Sequence, residues 1–367
     1  MIDKPLKIII AGGGTGGHLF PGIAIAEEFL KRGEADILFV GSGRSLEKDV
    51  LGRLGFSFRM IRIEGFRGRG PVGLINVLSK LPGTIWEAYR IIRSFRPHAV
   101  IGVGGYSSGP VVFTAHFMGI RTAVAEQNVL PGFTNRILGK FADRVFLTYG
   151  ETRKWFSEEK AVVTGNPVRA VFLAGAKDAH ERGDRFTILV FGGSQGARSI
   201  NRTMLGALPH LGDKNIRIIH QTGDDELEYV SSVYKNYGFD AEVRPFIQDM
   251  AAAYREADLV ICRAGATSIA EITAMGKAAI LIPFPFAVDN HQKKNAEALA
   301  RAGAALMIEE RKLKGKELAE IIERFYDNRE SLRVMEVKSA SLSNVRAAAD
   351  IVDACLALIG GKTDVRG

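Results

Sequence analysis

The chain has 367 residues, of which 46% are hydrophobic and 25% are charged, and it carries a formal net charge of +8. This length exceeds what one hydrophobic core usually serves, so two domains are expected, and the composition excludes a disordered or fibrous protein. The positive charge favours an anionic partner, such as a nucleic acid, an acidic membrane surface or a phosphorylated substrate.

The first half alternates short apolar runs with amphipathic stretches, which is typical of βαβ units and a parallel sheet. Apolar residues at helical spacing predict a first helix that ends at Gly33. The uncharged stretch 99–120 is interrupted by glycine and proline, so it predicts strand, loop and helix rather than a membrane span. The predicted strands are Lys7–Ala11, Asp36–Gly41, Ala99–Val103, Arg121–Ala125 and Arg144–Leu147.

The second half begins again with the same pattern, because "RFTILVFGGSQGARSIN" reads as a buried strand, a glycine loop and a helix start. We therefore predict an α/β protein with two Rossmann-like, doubly wound domains facing a cleft. The domains are expected at 1–167 and 168–343, and a final helix at about 344–359 packs on either of them. The predicted strands of this half are Phe186–Phe191, Ile216–His220, Ala241–Pro245, Leu259–Cys262 and Ala279–Ile282.

The chain shows no sign of export or of a structural metal. Its two cysteines, Cys262 and Cys355, are far apart and belong to no Cys/His cluster, so neither a disulfide framework nor a zinc site is expected. Lys4 and Lys7 lead directly into the first apolar strand, so no secretory signal is expected either. A reducing cytoplasm fits both observations.

Three glycine-rich loops, "GGGTGG", "GVGGYSSGP" and "FGGSQGA", follow predicted strands, where open α/β sheets bind their ligands. The helix starts after such loops suit a diphosphate. The first loop fits the dinucleotide fingerprint G-x-G-x-x-G, but nicotinamide binding also requires an acidic residue at the end of the second strand. That strand ends in Gly41 and Ser42, with only Arg44 nearby, so a dehydrogenase is not predicted.

His18 directly follows the first loop, at the expected start of the first helix. A helix N-terminus disfavours the protonated imidazole, so a histidine there tends to stay neutral and able to accept a proton. A general base needs this state, although a histidine that only caps the helix fits the same position. Glu126 and Asn128 lie in the same predicted cleft region, so the sequence alone leaves the base open.

Six motifs occur in order between residue 11 and about residue 296, and jointly they resemble the MurG family of lipid-linked peptidoglycan N-acetylglucosaminyltransferases. They are "GGGTGGHLFPGIAIAEEF", "GVGGYSSGP", "AEQNVLPGFTNR", "TGNPVR", "FGGSQGARSIN" and "CRAGATSIAEI", the last followed by "DNHQKKNA". The resemblance implies a glycosyltransferase B fold and inverting transfer of N-acetylglucosamine from UDP-N-acetylglucosamine to the muramyl 4-hydroxyl of undecaprenyl-diphospho-muramoyl-pentapeptide. No D-x-D pair occurs, so neither a metal nor another cofactor is expected.

The resemblance also implies roles for individual residues. His18 matches the candidate base, and Arg169 matches a contact to the donor diphosphate, for which a guanidinium is well shaped. Ser194 matches a position beside the nucleotide phosphates, and Ile247 matches a backbone contact to uracil. The remaining matches to donor-binding positions are Thr15, Gly16, Gly17, Asn128 and Gln292.

Glu271 has two interpretations. Ser268 and Glu271 form the pattern S-x-x-E, which is typical of a capping box at a helix start. The resemblance instead makes Glu271 the acceptor of both ribose hydroxyls. We favour ribose binding.

The stretch 66–96 predicts a membrane-binding surface, because it carries six basic residues against one acidic residue, interleaved with apolar ones. An undecaprenyl-linked acceptor stays in the bilayer, so peripheral attachment to the cytoplasmic face of the bacterial membrane is expected, with other cell-wall synthesis proteins as further candidate partners. No nucleic-acid motif accompanies the charge, so no nucleic-acid partner is expected. The aliphatic side chains could instead be core. The patch comprises Leu74, Ile75, Leu78, Lys80, Leu81, Ile85, Trp86, Arg67 and Arg69.

Two alternatives remain open at this point. One is another nucleotide-sugar enzyme of the same fold, either a glycolipid glycosyltransferase or a UDP-N-acetylglucosamine 2-epimerase, and an epimerase needs no membrane patch. The other is a nucleotide-binding or lipid-binding scaffold without catalysis, against which His18 and Glu271 speak together.

Overall fold

The structure is a computed structural model that describes residues 5–33, 35–63, 71–175, 185–193, 196–212 and 214–361. For residues 71–78 and 288 it describes the backbone alone. The chain divides into two units. The first unit combines Met1–Arg169 with Asn344–Gly367, and the second unit comprises Ala170–Ser343.

The first unit is built on a parallel sheet of seven strands in the order β3-β2-β1-β4-β5-β6-β7. The strands are β1 (Leu6–Ala11), β2 (Ala35–Gly41), β3 (Ser57–Met60), β4 (Ala99–Gly102), β5 (Arg121–Glu126), β6 (Arg144–Leu147) and β7 (Ala161–Val163). The helices are α1 (Gly16–Arg32), α2 (Ser45–Arg53), α3 (Pro71–Phe95), α4 (Ser108–Phe117), α5 (Phe133–Phe141) and, from the end of the chain, α14 (Ala347–Gly360). A 3-10 helix spans Gly150–Trp155.

The second unit contains a parallel sheet of six strands in the order β10-β9-β8-β11-β12-β13. The strands are β8 (Phe186–Phe191), β9 (Ile216–Gln221), β10 (Asp240–Arg244), β11 (Leu259–Cys262), β12 (Ala278–Leu281) and β13 (Leu306–Met307). The helices are α6 (Ala170–Gly175), α7 (Arg198–Ala207), α8 (Leu227–Asn236), α9 (Met250–Glu256), α10 (Ala266–Ala274), α11 (His291–Arg301), α12 (Gly315–Asp327) and α13 (Arg329–Ser341). Short 3-10 helices lie at Leu208–His210, Asp224–Glu226, Val288–Asn290 and Glu310–Lys312.

The two sheets share one topology, because each places its first strand third from one edge and its fourth strand beside the first. This is the doubly wound order of Rossmann-type folds, in which ligands bind where the strand order reverses. The sequence-based prediction of two α/β halves with parallel sheets is therefore confirmed. In each unit the reversal lies between the first and fourth strands, and a glycine loop follows the first.

Alternation along β1 explains how both faces of the first sheet become buried. Ile8 and Ile10 point to the face covered by α1, α2 and α14, whereas Ile9 and Ala11 point to the face covered by α3, α4 and α5. All four side chains have no exposed surface. A strand that is buried on both faces reads as a continuous apolar run, which is why "KIIIA" predicts a central strand.

The C-terminal helix α14 packs against α1 of the first unit. Ile351 and Val352 are fully buried in the same core as the apolar face of α1. Arg32, in the last turn of α1, binds the carboxylate of Asp353 and donates to the carbonyl oxygen of Ala349 at 3.1 Å. The C-terminal helix α14 and the N-terminal strand β1 thus contribute side chains to the same core.

Three strands were not predicted, namely β3, β7 and β13, and each lies at an edge of its sheet. They have four, three and two residues. Edge strands are often short, because a short edge offers few unpaired backbone groups to another chain. β3 also contains polar residues, and β7 and β13 are apolar but too short to give the run that identified the inner strands.

We predict that Ile351→Ala lowers the free energy of unfolding of the first unit by about 2–5 kcal/mol, because it leaves a cavity between α14 and α1. Urea denaturation monitored by circular dichroism measures this change. The matched control is Leu356→Ala, in the same helix but 36% exposed, for which we expect less than about 1 kcal/mol. Equal effects of the two substitutions would contradict the packing of α14 described above.

Candidate functional site

Two glycine loops of the first unit touch at the carboxyl edge of its sheet. They follow β1 and β4, which pair directly with each other. A Cβ atom at Gly12 would lie 2.4 Å from the carbonyl oxygen of Gly104, so any side chain there would push the loops apart. Gly104 has a φ angle of +98°, which favours glycine. The two loops therefore form one continuous surface.

His18 lies on this surface, in the first turn of α1. Its Nδ1 atom is 3.1 Å from the carbonyl oxygen of Val103, and a Cβ atom at Gly104 would lie 2.5 Å from the same nitrogen. A carbonyl oxygen only accepts, so this contact assigns the proton of the neutral imidazole to Nδ1. The basic lone pair is then on Nε2. The contact thus fixes the ring orientation and, in the neutral imidazole, makes Nε2 the nitrogen that can accept a proton.

Thr15, Gly16 and Gly17 lie next to His18. Thr15 is the exposed N-cap of α1, and its carbonyl oxygen accepts the N–H groups of His18 and Leu19 at 3.2 and 3.1 Å. Gly16 and Gly17 begin the helix, where the backbone carries partial positive charge. The structure therefore groups these four predicted residues at one helix start.

Glu126 is the last residue of β5, the strand beside β4, and Asn128 lies two residues beyond it. The Glu126 carboxylate is 2% exposed and accepts the backbone and side-chain N–H groups of Asn128 at 2.9 and 3.1 Å. Its other oxygen accepts from Gly132 N and Asn135 Nδ2, both at 2.9 Å. A carboxylate that accepts four hydrogen bonds in the interior is poorly suited to accept a substrate proton. Between the rival bases, the geometry therefore favours His18.

Arg169 belongs to the same unit as His18. Its guanidinium lies over the ring of Phe20, 4.2 Å from the ring centroid, and Phe20 is two residues beyond His18 on α1. A cation over an aromatic face is held there electrostatically. Phe20 and His18 lie in the same turn of α1. The residue predicted to bind phosphate, Arg169, therefore contacts the turn that carries the predicted base.

In the second unit the glycine loop after β8 is folded as tightly as the first. A Cβ atom at Gly192 would lie 2.2 Å from the Ala197 nitrogen, and one at Gly196 would lie 2.0 Å from the Thr222 carbonyl oxygen. Gly196 has a φ angle of +71°. Side chains are therefore excluded at both positions. Ser194, predicted to lie beside the phosphates, is outside the described residues.

Gln221, which the sequence reasoning missed, bridges this loop to the segment after β10. Its Nε2 donates to the Gly193 carbonyl oxygen at 2.8 Å, and its Oε1 accepts the Ile247 N–H at 2.9 Å. The predicted uracil contact at Ile247 therefore has its N–H directed to Gln221. The signal available in the sequence was the polar "HQTG" at the end of an apolar strand.

A chain of buried hydrogen bonds ends on Thr222, whose carbonyl oxygen lies against Gly196 of this loop. The His220 Nε2 donates to Asn201 Oδ1 at 3.1 Å, and His220 Nδ1 accepts from the Tyr234 hydroxyl at 2.8 Å. Asn201 Nδ2 in turn donates to the Thr222 carbonyl oxygen at 3.0 Å. Complete burial lowers the pKa of His220 to about 3, so this histidine stays neutral.

Glu271 lies in the second turn of α10 and is not part of a capping box. The helix begins at Ala266 with Gly265 as its N-cap, so Ser268 is already inside the helix. The capping interpretation is therefore wrong. The carboxylate is 7% exposed and accepts from the Tyr254 hydroxyl at 3.5 Å. Burial, together with the Glu271 charge, raises the pKa of the neighbouring Cys262 thiol.

Gln292 lies in the first turn of α11. Its Oε1 accepts the Phe284 N–H at 3.0 Å, so the side-chain NH2 is the end that can donate to a ligand. Two consecutive residues before the helix, Asp289 and Asn290, have left-handed φ angles of 53° and 54°. Such a pair is uncommon outside glycine, and it sets the direction in which α11 starts.

The predicted membrane patch falls on α3, whose described part is amphipathic. Thr84, Ala88 and Ile92 face the core, while Trp86 is 60% exposed and stacks on Tyr89 at 5.4 Å. Leu81 and Ile85 are half-buried and Lys80 is exposed. Arg67, Arg69 and the side chains of Leu74, Ile75 and Leu78 lie outside the described residues.

The described ranges contain neither a candidate metal-binding cluster nor a helix suited to crossing a membrane. No three His, Cys, Asp or Glu side chains lie close enough there to hold a metal ion together. Among the helices in the described part of the chain, none combines the length and apolarity that a bilayer crossing requires.

Comparisons with known proteins agree with this geometry. Models of the glycosyltransferase family 28 N-terminal and C-terminal domains match residues 8–147 and 187–353. The UDP-N-acetylglucosamine--N-acetylmuramyl-(pentapeptide) pyrophosphoryl-undecaprenol N-acetylglucosamine transferase of Syntrophus aciditrophicus is 57% identical, over 96% of this chain and 99% of that protein.

Solved structures extend the comparison to the fold. The crystal structure of Acinetobacter baumannii MurG superposes with a TM-score of 0.77 at 30% identity, covering 96% of this chain and 99% of that one. A UDP-GlcNAc 2-epimerase from Neisseria meningitidis gives 0.69 at 12% identity, covering 96% and 100%. The latter similarity is one of fold alone, namely the glycosyltransferase B fold with its two parallel α/β sheets.

The buried histidine predicts a pH dependence of stability. Below about pH 6.5 the unfolded chain binds a proton at His220 that the folded chain refuses until about pH 3, so the free energy of unfolding falls as the pH drops through this window. Above about pH 6.5, His220 makes no contribution to the pH dependence of the free energy of unfolding. In His220→Gln we expect the slope to be smaller, by up to about 1.4 kcal/mol per pH unit. Urea unfolding of both proteins between about pH 3 and about pH 6.5 measures the two slopes, and equal slopes in wild type and His220→Gln would contradict this prediction.

Proposed function

This chain belongs to the MurG family within glycosyltransferase family 28, and we propose that it transfers N-acetylglucosamine from UDP-N-acetylglucosamine to the lipid-linked N-acetylmuramyl-pentapeptide, converting lipid I to lipid II. The observation that carries the proposal is the tautomer-fixed His18 on the touching glycine loops, in a chain that matches a curated relative almost end to end.

In the proposed reaction the 4-hydroxyl oxygen of the muramyl sugar attacks the anomeric carbon of N-acetylglucosamine. The Nε2 atom of His18 accepts the hydroxyl proton while the bond from the anomeric carbon to the β-phosphate oxygen breaks. UDP leaves with the bonding electron pair, and the configuration at the anomeric carbon inverts. The Val103 carbonyl oxygen stabilises the imidazolium that forms, because it already accepts from Nδ1.

Departure of UDP places negative charge on its diphosphate, which the protein must stabilise. We assign this role to the guanidinium of Arg169 and to the start of α7, with Ser194 beside the phosphates as a prediction from the resemblance. Thr15, Gly16, Gly17 and Asn128 remain the residues predicted to contact the sugar donor, UDP-N-acetylglucosamine.

Recognition of the nucleoside is assigned to the second unit. Glu271, which does not cap α10, is proposed to accept hydrogen bonds from both ribose hydroxyls. Because the Ile247 N–H is directed to Gln221, we assign the uracil contact to the Ile247 carbonyl oxygen, which can accept from uracil N3–H. Gln292 is proposed to donate its amide N–H to the sugar.

The test is to incubate the protein with UDP-N-acetylglucosamine, with and without a lipid-linked muramyl-pentapeptide, and to measure UDP and the sugar product. We expect UDP release that depends on the acceptor, with formation of the lipid-linked disaccharide. Appearance of N-acetylmannosamine without acceptor would instead establish an epimerase. Absence of turnover with either substrate set would support a binding scaffold and overturn the proposal.

His18→Ala is expected to lower kcat by about 10²- to 10⁴-fold, because the proton acceptor is lost, while the dissociation constant of UDP stays near the wild-type value. Steady-state kinetics and calorimetric titration of UDP measure the two quantities. The control is His116→Ala, at the far end of α4, which should keep wild-type kcat. An unchanged kcat in His18→Ala would remove His18 as the base.

Peripheral binding to an anionic membrane surface is a further part of the proposal. The acceptor carries its lipid tail in the bilayer, and α3 presents an exposed tryptophan stacked on Tyr89, whose hydroxyl accepts from Arg93 at 2.7 Å. Aromatic residues flanked by basic ones suit the headgroup region.

Trp86→Ser is expected to weaken binding to vesicles with anionic lipids several-fold without changing the urea midpoint, because the side chain is largely outside the core. Vesicle co-sedimentation measures the binding, with neutral vesicles as the lipid control. The matched variant is Tyr237→Ser, an exposed aromatic of the second unit. Unaltered vesicle binding, or unfolding of the variant, would contradict the assignment of this face.

A further inference from the structure

A fully buried carboxylate occupies the first glycine loop. Glu47, in the first turn of α2, has no exposed surface. Its Oε1 accepts the Gly14 N–H at 2.7 Å and the Ser42 N–H at 3.3 Å. Its Oε2 accepts the Arg44 N–H at 2.9 Å and the Ser42 hydroxyl at 3.2 Å. Charge-assisted hydrogen bonds of this kind are among the strongest in proteins.

The loops on both sides are shaped around this carboxylate. A Cβ atom at Gly13 would lie 2.2 Å from Glu47 Oε1, and one at Gly41 would lie 2.6 Å from the same oxygen. The glycines at the ends of β1 and β2 therefore leave room for Glu47. In dinucleotide-binding proteins a ligand phosphate accepts from N–H groups of such a loop. Here an anion from the chain itself accepts from Gly14.

The segment that leads into α2 also binds the carbonyl group of Gly14. The Arg44 guanidinium donates to the Gly14 carbonyl oxygen at 3.0 Å. Gly14 is thus fixed through both its N–H and its carbonyl group. The next residue is Thr15, whose carbonyl oxygen accepts the His18 N–H at 3.2 Å, so the constraint reaches the start of α1.

We propose that Glu47 is a positioning residue for sugar transfer: its carboxylate takes the place of a phosphate in the first glycine loop and holds Gly14, and thereby orients the His18 imidazole. This inference rests on the function proposed above. It also means that neither the donor nor the acceptor diphosphate binds at the Gly14 N–H, because a carboxylate already accepts there and would repel a second anion.

Glu47→Gln is the first test. The amide keeps one accepting oxygen but turns an NH2 group toward N–H donors, so the loop loses a hydrogen bond while the volume is unchanged. We expect kcat to fall about 10- to 100-fold, as for misplacement of a catalytic group, with UDP affinity within about twofold of wild type. The matched control is Glu28→Gln, in α1 but paired with Arg32, which should keep wild-type kcat.

Glu47→Ala with added formate is the second test, because it separates positioning from a general loss of structure. The shorter side chain leaves a cavity of carboxylate shape, and formate can refill it. We expect formate to raise kcat of Glu47→Ala several-fold and to leave wild type and His18→Ala unchanged. A loss of activity that formate does not restore, accompanied by an equal loss of UDP affinity, would overturn the proposal.

A third measurement does not depend on activity. Nitrogen-15 NMR of the histidine side chains reports the tautomer of His18, assigned by comparison with His18→Ala. We expect the Nδ1–H signal of wild type to give way to mixed tautomers in Glu47→Gln. An unchanged His18 signal together with wild-type kcat would overturn the role of Glu47, whereas an inactive wild type with this spectral change would overturn only the proposed reaction.

Discussion

The direct pairing of β1 with β4 is the constraint on which the first unit's site depends. Parallel strands end at the same edge, so the two glycine loops that follow them must share one narrow space. Only glycine at positions 12 and 104 permits that approach, and the Val103 carbonyl then lies within reach of His18. The sheet therefore fixes the backbone oxygen that Nδ1 of the proposed base contacts, and the loop before α1 must hold the imidazole against it.

The glycine loops of the two units are held by side chains of different charge. In the first unit the loop is fastened by the carboxylate of Glu47, which brings a negative charge among the N–H groups. In the second unit the corresponding role falls to the neutral amide of Gln221, which adds no charge. Two similar glycine motifs thus differ in the charge of the side chain that holds them, and the difference lies in residues outside the motif.

How much of the structure could be predicted from the sequence depends on the kind of contact involved. Inner strands such as β1 and β8 were predictable because burial on both faces produces an unbroken apolar run, whereas β13 is too short to produce one. The capping box at Ser268 was misleading, because the helix begins one turn earlier, at Ala266. The roles of Glu47 and Gln221 were not predictable, since the glycine-loop residues that they bind, Gly14 and Gly193, are distant from them in the sequence. Ser194 and the donor roles of Glu271 and Gln292 stay predictions.

The return of α14 to the first unit has a consequence for how the protein is made. The core that contains Ile8 and Ile10 also contains Ile351 and Val352, so its residues lie at opposite ends of the described chain. During synthesis the ribosome produces the whole second unit before α14 emerges. The first unit therefore cannot complete its core until after the second unit has been made, so the second unit has the first opportunity to finish folding.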